Sequence, residues 1–240
     1  MIPKKIHYCW FGGNPLPKSA RKYIKTWKKY FPDYEIIEWN ESNFDIHFNK
    51  YAYDAYKNKK YAFFTDVARL YIIEKYGGIY FDVDVEVLKS YDDIIKNCNA
   101  FFGIEEKGRV NTGLGFGAEK GCSFIKELLD DYDKMNFLNK DGSYNLTACT
   151  ITNSKIFKKN GFKLDDKYEN INGIIVYPKE YFNTLDNATG RVILTSNSHS
   201  IHRYKATWLP LSKRMKIVLL RPFRIALGKN YKKIKKKLNK

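Results

Sequence analysis

Two carboxylates separated by one residue, Asp82 and Asp84, are the part of the chain best suited to chemistry. A Gly-Gly pair and the apolar residues 79–81 precede them, and an apolar strand pattern resumes at Val85. Side chains two positions apart in a strand point to the same face, so we expect the two carboxylates to converge. Converging carboxylates repel one another unless a cation lies between them. The pattern predicts a metal and phosphate site; a solvated turn with two surface acids is the alternative.

The segment before these carboxylates is expected to be a helix that positions further polar side chains. Apolar residues recur at the i, i+3 or i+4 spacing through residues 61–76, which is typical of a helix packed on a sheet. Asp66 and Arg69 lie three residues apart on this helix. Taken alone, they indicate an ordinary intrahelical ion pair, which contributes about 0.2–0.5 kcal/mol.

The order of the predicted elements indicates an α/β fold. Strand, loop, helix and strand open the chain, and in such folds ligands bind at the carboxyl ends of the strands, where Trp10 lies. Strands are expected at 5–11, 34–39, 79–87, 100–104, 113–118 and 173–177, and helices at 17–30, 51–56, 61–76, 123–132 and 146–157. We expect one catalytic domain over residues 1–210 and a basic amphipathic tail over residues 211–240.

The positive charge is concentrated in this tail. The chain has a formal net charge of +17, yet residues 1–186 contain 28 basic and 26 acidic residues, whereas residues 187–240 contain 15 basic residues and no acidic one. A nucleic-acid-binding protein driven by this tail is the non-enzyme alternative. It would also have basic residues interleaved through its folded body, which the nearly neutral balance of residues 1–186 does not show, so this alternative is disfavoured.

The tail combines apolar and cationic residues. Pro222 is expected to break or kink residues 211–227 into two short helices, and residues 231–240 contain six lysines. An interfacial anchor on an anionic membrane surface has this composition, and a solvated tail is the alternative. No apolar signal region follows Met1, and no run of about 20 apolar residues could span a bilayer. We therefore expect a cytoplasmic protein attached peripherally to the inner face of a bacterial cytoplasmic membrane, with Cys9, Cys98, Cys122 and Cys149 reduced.

Four blocks of the sequence together resemble a known family. They are the run IHYCWFGG at 6–13, TDVAR at 65–69, YGGIYFDVD at 76–84, and His202 with Trp208. Their order and spacing resemble the family 32 glycosyltransferases with a DXD motif, which include yeast mannosyltransferases and bacterial capsule and O-antigen enzymes. The glucosylating domain of clostridial toxins is a more distant resemblance. Residues 2–90 carry most of the similarity, and residues 100–210 carry it only at isolated positions.

The resemblance implies a GT-A fold, with a central mixed sheet flanked by helices, and a retaining sugar transfer from a nucleotide sugar. It makes Trp10 the residue that stacks on the nucleobase, a contact worth about 1–3 kcal/mol. The other donor contacts it implies come from Thr65, Asp66, Arg69, Tyr80 and Asp82.

The resemblance also implies a metal site and a set of catalytic residues. Asp84 becomes a direct metal ligand, Asp82 a ribose contact or water-mediated metal contact, and His202 a late metal ligand. Oxygen ligands with one imidazole suit Mn²⁺ or Mg²⁺. Trp208 would donate its indole N–H to the departing phosphate and completes the catalytic set with Asp82 and Asp84, while Asn111 is expected on the acceptor side.

The function expected from these residues is metal-dependent retaining transfer of a sugar, preferably from a UDP-sugar, to a surface-polysaccharide acceptor such as a lipid-linked oligosaccharide. A mannosyltransferase that uses GDP-mannose and a toxin-like enzyme that glycosylates a protein are the alternatives within the family.

Overall fold

Helices and strands alternate along the chain. A computed structural model describes residues 1–186, 189–205, 211–228 and 230. The strands in these ranges are β1 (Lys5–Cys9), β2 (Glu35–Trp39), β3 (Gly78–Tyr80), β4 (Val85–Val87), β5 (Ala100–Glu106), β6 (Arg109–Val110), β7 (Phe116–Ala118), β8 (Glu169–Ile171), β9 (Ile174–Tyr177) and β10 (Ser200–His202). The helices are α1 (Lys18–Tyr30), α2 (Lys50–Lys57), α3 (Tyr61–Tyr76), α4 (Asp92–Ile95), α5 (Ser123–Asp133), α6 (Cys149–Lys159), α7 (Lys179–Phe182) and α8 (Leu211–Leu227).

The main sheet is mixed and has the strand order β2-β1-β3-β7-β5-β9-β8, with β6 paired to β5. β1 lies parallel to both β2 and β3, and β5 lies parallel to β9. The remaining pairs are antiparallel. The carboxyl ends of β1 and β3 therefore meet at one edge of the sheet, where ligands of α/β folds bind.

Helices cover both faces of this sheet, and each face has its own apolar core. On one face, α3 buries Phe64, Val67 and Leu70 together with side chains of α2, α5 and α6. On the other face, α1 packs through Ile24 and Trp27 with side chains of α4 and α7. The buried residues of α3 and α1 recur at helical spacing, which explains why these segments form helices against the sheet.

A second sheet of two strands, β4 and β10, lies beside the main one. The strands are antiparallel, with His202 opposite Val85. α1 holds β4 in place, because the Trp27 indole N–H donates to the Val85 carbonyl at 2.9 Å and the Thr26 hydroxyl accepts the Val87 N–H at 3.0 Å. This sheet brings a segment near residue 200 beside the Asp82–Asp84 segment.

His7 ties the first strands to the end of α3. Its Nδ1 accepts the Trp39 indole N–H at 3.0 Å, so its Nε2 carries the proton and donates to the Gly77 carbonyl at 2.9 Å. Burial lowers the pKa of His7 to about 4, which keeps the ring neutral. His7 therefore has a structural role. The sequence analysis included His7 only as a member of the block 6–13 and did not predict this role.

The predicted elements agree with the structure in type and order, with differences that have physical causes. The short elements α4, β6, β8, α7 and β10 were not predicted, because two to four residues are too few to show a period. The prediction that Pro222 breaks the tail into two short helices is wrong, since α8 continues through it, and a kink at Pro222 stays a prediction. The carbonyl that loses its partner belongs to the exposed residue Val218, where water can donate to it. All four cysteines are free and buried.

In the part of the chain that the structure describes, no helix has both the length and the apolar composition needed to cross a membrane.

Candidate active site

The Gly77-Gly78 pair turns the chain from α3 into β3 and sets the position of the carboxylates. Gly77 has a φ of 62° and Gly78 one of 106°, in the region that favours glycine. A Cβ on Gly78 would lie 2.7 Å from the Lys5 carbonyl oxygen, so any larger residue would push β3 away from β1. The close approach of these two strands brings Asp82, two residues after β3, to the edge where β1 ends.

Asp82 and Asp84 lie on a turn, and the prediction that one continuous strand carries them is wrong. β3 ends at Tyr80, β4 begins at Val85, and the Val85 N–H donates to the Asp82 carbonyl at 3.0 Å. The strand is interrupted because the chain leaves the main sheet for the second one. The convergence is nevertheless present: one ligand atom each from Asp82, Asp84 and His202 lie within 4.8 Å of one another.

β10 delivers His202 to this turn. The His202 Nε2 lies 3.0 Å from Asp84 Oδ1 and 3.8 Å from Asp82 Oδ2. The backbone after β10 also holds Asp84: the Lys205 N–H donates to its Oδ2 at 2.7 Å, and the Arg203 N–H donates to its carbonyl at 2.9 Å. The segment 202–205 therefore positions Asp84 through both its carboxylate and its backbone.

The pKa values of the two carboxylates shift in opposite directions. Burial raises the pKa of Asp82, and the nearby Asp84 carboxylate raises it further, although Arg69 opposes both. Burial also acts to raise the pKa of Asp84, but His202 and the Lys205 N–H outweigh it and lower that pKa. Burial acts to lower the pKa of His202, and Asp84 outweighs it and raises that pKa. Asp84 is thus the carboxylate that stays ionised most readily.

The donor set fits a divalent cation. Two carboxylates and one imidazole offer the oxygen and nitrogen ligands that Mg²⁺ and Mn²⁺ accept. The His202 Nε2 is the ring atom turned to both carboxylates, while its Nδ1 is buried and has no hydrogen-bond partner within the described ranges. Asp82, Asp84 and His202 could therefore hold the metal predicted from the sequence. The identity of the metal stays a prediction.

Arg69 is buried and connects the carboxylates on α3 and on the turn. Its Nη2 lies 2.8 Å from Asp66 Oδ1 and 3.5 Å from Asp82 Oδ1. Its Nε donates to the Thr65 carbonyl at 3.1 Å, and its Nη1 donates to the Thr112 hydroxyl at 3.4 Å. Burial acts to lower the pKa of Arg69, and the two carboxylates outweigh it and hold that pKa well above its usual value. The pair with Asp66 is therefore a buried ion pair rather than the surface pair that its spacing alone indicates.

Asp66 occupies an apolar environment despite its pairing with Arg69. Burial raises the pKa of Asp66 to about 6, although Arg69 opposes the shift. The Cys149 thiol, at the start of α6, hydrogen-bonds to the Asp66 carboxylate and also opposes the shift. A carboxylate held in this way has a defined orientation and can accept hydrogen bonds from a polyol.

The loop after β6 closes the site beside Asp82. The Asn111 Oδ1 accepts the Gly113 N–H at 2.6 Å, so the Asn111 side chain folds back on its own loop. A Cβ on Gly113 would lie 2.3 Å from Asp82 Oδ2 and 3.0 Å from Asn111 Oδ1. Asn111 thus lies next to the carboxylate cluster, and its acceptor-side role stays a prediction.

The remaining predicted residues lie at different places around this cluster. Tyr80 donates its hydroxyl to Asp82 Oδ1 at 3.1 Å, and its ring lies under the Arg69 guanidinium at 5.2 Å. Trp10 follows β1, is half-buried, and donates its indole N–H to the Asn14 carbonyl at 2.6 Å. The Thr65 hydroxyl donates to the Ala62 carbonyl of its own helix at 2.9 Å. Trp208 lies outside the described residues.

Sequence reasoning missed two residues that support the site, Asn153 and Cys149. Thr112 and Asn153 are buried, and the Asn153 amide donates to the Thr112 hydroxyl at 3.5 Å, which extends the contacts of Arg69 to α6. Cys149 was expected only to be a reduced core residue. Nothing in the local sequence distinguishes these positions, because α6 is brought to α3 by tertiary packing.

Comparison with known proteins agrees with this geometry. Residues 17–101 match the family model described as "Glycosyltransferase sugar-binding region containing DXD motif". The matched range is less than half of the chain and includes α3, Gly77-Gly78 and both aspartates of the turn. Together with the relatives below, this match shows that residues 17–101 are similar to the sugar-binding region of DXD-type glycosyltransferases, and the resemblance predicted from the sequence is confirmed.

Individual relatives are similar at lower identity. The chain is 29% identical over 147 residues to inositol phosphoceramide mannosyltransferase 3 of Schizosaccharomyces pombe, a match that covers 57% of this chain and 38% of the relative. It is 27% identical over 228 residues to the uncharacterized glycosyltransferase L373 of Acanthamoeba polyphaga mimivirus, which covers 90% of this chain and 88% of that protein. The chain therefore spans well under half of the yeast relative and most of the viral one.

A solved structure shares the fold. The glycosyltransferase PaToxG superposes with a TM-score of 0.50 at 18% identity, over 66% of this chain and 68% of that one. At this identity the likeness concerns the fold alone, and it supports the predicted GT-A architecture, a central mixed sheet with flanking helices.

Proposed function

We propose that the protein is a metal-dependent retaining glycosyltransferase that moves a sugar from a nucleotide sugar to a glycan or lipid-linked acceptor. The observation that carries this proposal is the convergence of Asp82, Asp84 and His202 beside the buried Asp66–Arg69 pair. This arrangement combines a site for a cation with a carboxylate and a guanidinium that can contact a sugar and a phosphate. Retention of anomeric configuration rests on the family resemblance.

The proposed roles follow from the positions of the side chains. A divalent cation, when bound, would offset the negative charge that develops on a nucleoside diphosphate leaving group. Asp84 and His202 would hold the cation, and Asp82 would contact it or the ribose. Asp66 would accept hydrogen bonds from the donor sugar, and Arg69 fixes the direction of both carboxylates.

Two candidate donors are proposed, each from a separate observation. Trp10, at the end of β1, favours a base-stacking contact and a UDP-sugar, as expected from its sequence block. The name of the yeast relative, a mannosyltransferase, favours mannose as the sugar, and GDP-mannose is therefore the second candidate donor. Both donors present the same diphosphate to the cluster, so they differ at the base and at the sugar.

The proposed acceptor is a lipid-linked oligosaccharide of a surface polysaccharide, on the inner face of a bacterial cytoplasmic membrane. The yeast relative named for inositol phosphoceramide makes a lipid-containing acceptor chemically consistent with this type of site. A toxin-like transfer to protein would use the same donor residues and differ only in the acceptor.

A donor panel tests the proposal. Purified protein is incubated with UDP- and GDP-sugars and Mn²⁺ or Mg²⁺, and hydrolysis of each donor is followed with and without a chelator. We expect one donor class to be hydrolysed in a metal-dependent manner, and Asp84→Asn to abolish this hydrolysis. NMR of the released or transferred sugar reports retention.

Asp141→Asn is the matched control, because Asp141 is exposed and, among the described residues, its carboxylate is hydrogen-bonded only within its own loop, to Ser143. It should behave as the wild type. Metal-independent hydrolysis, or equal activity in Asp84→Asn and Asp141→Asn, would contradict the proposed role of the cluster.

A further inference from the structure

Tyr204, two residues after His202, has a backbone conformation that is unusual for an aromatic residue. Its φ is 47°, in the left-handed region, where a bulky side chain is a genuine outlier. Such a conformation persists only where the surrounding contacts hold it in place. The N–H groups of its two neighbours, Arg203 and Lys205, donate to the Asp84 carbonyl and to Asp84 Oδ2. The left-handed turn at Tyr204 therefore directs both N–H groups to one residue of the carboxylate cluster.

Hydrogen bonding does not explain the orientation of the His202 ring. A histidine that binds a metal almost always donates its other ring N–H to a carboxylate, a carbonyl oxygen or water, and this bond fixes the ring. The His202 Nε2 is turned to Asp84 and Asp82, whereas its Nδ1 is buried and finds no hydrogen-bond partner in the part of the chain that the structure describes. Among the described residues, packing has to hold this ring.

The Tyr204 ring supplies the packing contact. Its centroid lies 4.1 Å from that of the His202 ring, and the two ring planes are inclined at 78°, an edge-to-face arrangement. The centroids are closer than in most aromatic pairs. A contact this close restricts rotation of the imidazole, and so keeps the His202 Nε2 turned to the carboxylates.

The Tyr204 hydroxyl is anchored outside the carboxylate cluster. It donates to Glu105 Oε1 at 3.1 Å and to Asn183 Oδ1 at 3.0 Å. Asn183 is itself fixed, because its amide N–H donates to the Glu105 carbonyl at 2.7 Å and its backbone pairs with Ile201 of β10. Glu105 belongs to β5 of the main sheet. Tyr204 thus connects the strand that carries His202 to the main sheet.

We propose that Tyr204 is a positioning residue that holds the His202 imidazole and the Asp84 carboxylate in the geometry that binds a divalent cation. Its ring holds the imidazole, its left-handed backbone directs the Lys205 N–H to Asp84, and its hydroxyl ties both to β5 through Glu105. The inference rests on the proposed function for the cation, while the contacts of Tyr204 involve residues of this chain alone. A purely structural role would lower stability without changing the affinity for the cation.

Two substitutions at Tyr204 separate the ring from the backbone and the hydroxyl. Tyr204→Asn removes the ring and keeps a residue that tolerates the left-handed conformation, so the turn should still form. We expect it to weaken Mn²⁺ binding to the full chain by roughly tenfold or more, as the loss of support for a metal ligand does. Tyr204→Phe keeps the ring and should lose less affinity. Isothermal titration measures the affinity, and urea unfolding with circular dichroism shows that each variant is folded.

Tyr144→Asn is the matched control. The Tyr144 ring stacks on Phe137 with centroids 5.4 Å apart, and its hydroxyl donates to Asn58 Oδ1 at 3.1 Å, so the substitution removes the same kinds of contact. It should lower stability and keep the Mn²⁺ affinity of the wild type. Unchanged affinity in Tyr204→Asn, or equal losses in the variants of Tyr204 and Tyr144, would overturn the proposal. Equal losses in Tyr204→Phe and Tyr204→Asn would contradict the role of the ring.

Nuclear magnetic resonance of the protein without added metal tests the ring contact separately. The chain contains four histidines, and His202→Ala identifies the imidazole signals of His202. We expect these signals to move in Tyr204→Asn, because the neighbouring aromatic ring is lost, and to stay in place in Tyr144→Asn. Absence of Mn²⁺ binding by the wild type would refute the metal-dependent function. His202 signals that do not move would refute the positioning role whatever the metal result, so the two failures are distinguishable.

Discussion

Arg69 is the residue that joins the two halves of the candidate site. Its guanidinium contacts Asp66 on α3 and Asp82 on the turn, and it is almost completely buried. Removing one partner of a buried ion pair leaves the other as an uncompensated charge, whereas removing both is tolerated far better. The three side chains therefore depend on one another for stability as well as for any contact with a donor.

Arg69→Met should lower the free energy of unfolding by about 3–5 kcal/mol, because Asp66 and Asp82 lose their counter-charge. Adding Asp66→Asn should restore part of this loss, a coupling that a double-mutant cycle in urea would measure. The exposed Lys126–Asp130 pair is the control: Lys126→Met should leave stability nearly unchanged. Strictly additive effects of the Arg69 and Asp66 substitutions would contradict the pairing.

Asp66 also makes stability depend on pH. Burial raises its pKa from 3.8 to about 6, so between these values the folded state keeps a proton that the unfolded state has lost. The contribution of Asp66 to stability is thus full below about pH 4 and is lost as pH rises through about 6. Asp66→Asn does not titrate, so its free energy of unfolding relative to wild type should rise between pH 4 and 6 and level off above. A difference that is flat across this range would refute the shift.

Among the secondary-structure elements, the loop 111–115 and the Asp82–Asp84 turn are fitted closely to each other. Gly113 is needed there for space, because a Cβ would meet the Asp82 carboxylate at 2.3 Å. The Asp82 N–H also faces the Gly113 carbonyl at 3.4 Å. Any displacement of this loop moves a predicted metal residue directly.

Gly113→Ala should therefore weaken Mn²⁺ binding by roughly tenfold or more, as changes that disturb the support of metal ligands do. Isothermal titration measures the affinity, and circular dichroism checks the fold. Gly121→Ala is an informative contrast, because that glycine has a φ of 72° but open space around it. It should lose some stability and keep its metal affinity; equal affinity losses in both variants would exclude a local effect at Asp82.

The long elements could be predicted from the sequence, and the contacts between distant segments could not. α3 was predicted from residue 61 to residue 76 because its apolar period is regular over four turns. The interruption between β3 and β4 was not predicted. Apolar residues stand on both sides of Asp82 and Asp84, and this pattern is the same whether one strand continues or the chain moves from one sheet to another. β10 is three residues long, and pairing with β4 rather than its own composition makes it a strand.

For the whole molecule, the candidate site brings together residues from widely separated parts of the chain. Asp66 and Arg69, Asp82 and Asp84, and His202 could be selected from the sequence because the family resemblance connects them. Cys149 and Asn153 could not be selected, since ordinary buried polar residues become part of a site only through tertiary packing. The division at residue 210 and the role of Trp208 stay predictions.

Metal binding should stabilise the whole fold, because one proposed ligand, His202, lies on β10 while the other two, Asp82 and Asp84, lie on the turn before its partner strand β4. A cation that binds only the folded state adds about 2.7 kcal/mol at a hundredfold excess over its Kd. We expect Mn²⁺ to raise the melting temperature in calorimetry, a chelator to reverse the rise, and His202→Ala to remove most of it. His47→Ala, at an exposed histidine, is the control and should respond to Mn²⁺ as the wild type does.

The pairing of β4 with β10 also has a consequence for biosynthesis. A ribosome releases Asp82 and Asp84 long before it releases His202 and the Lys205 N–H that hold Asp84. During this interval every strand of the main sheet leaves the ribosome, since the last of them, β9, ends at Tyr177, but the carboxylate cluster still lacks its imidazole and its backbone support. The nascent chain should thus pass through a folded yet incompetent stage, and the capacity to bind a cation should appear abruptly once the segment 200–205 has left the exit tunnel.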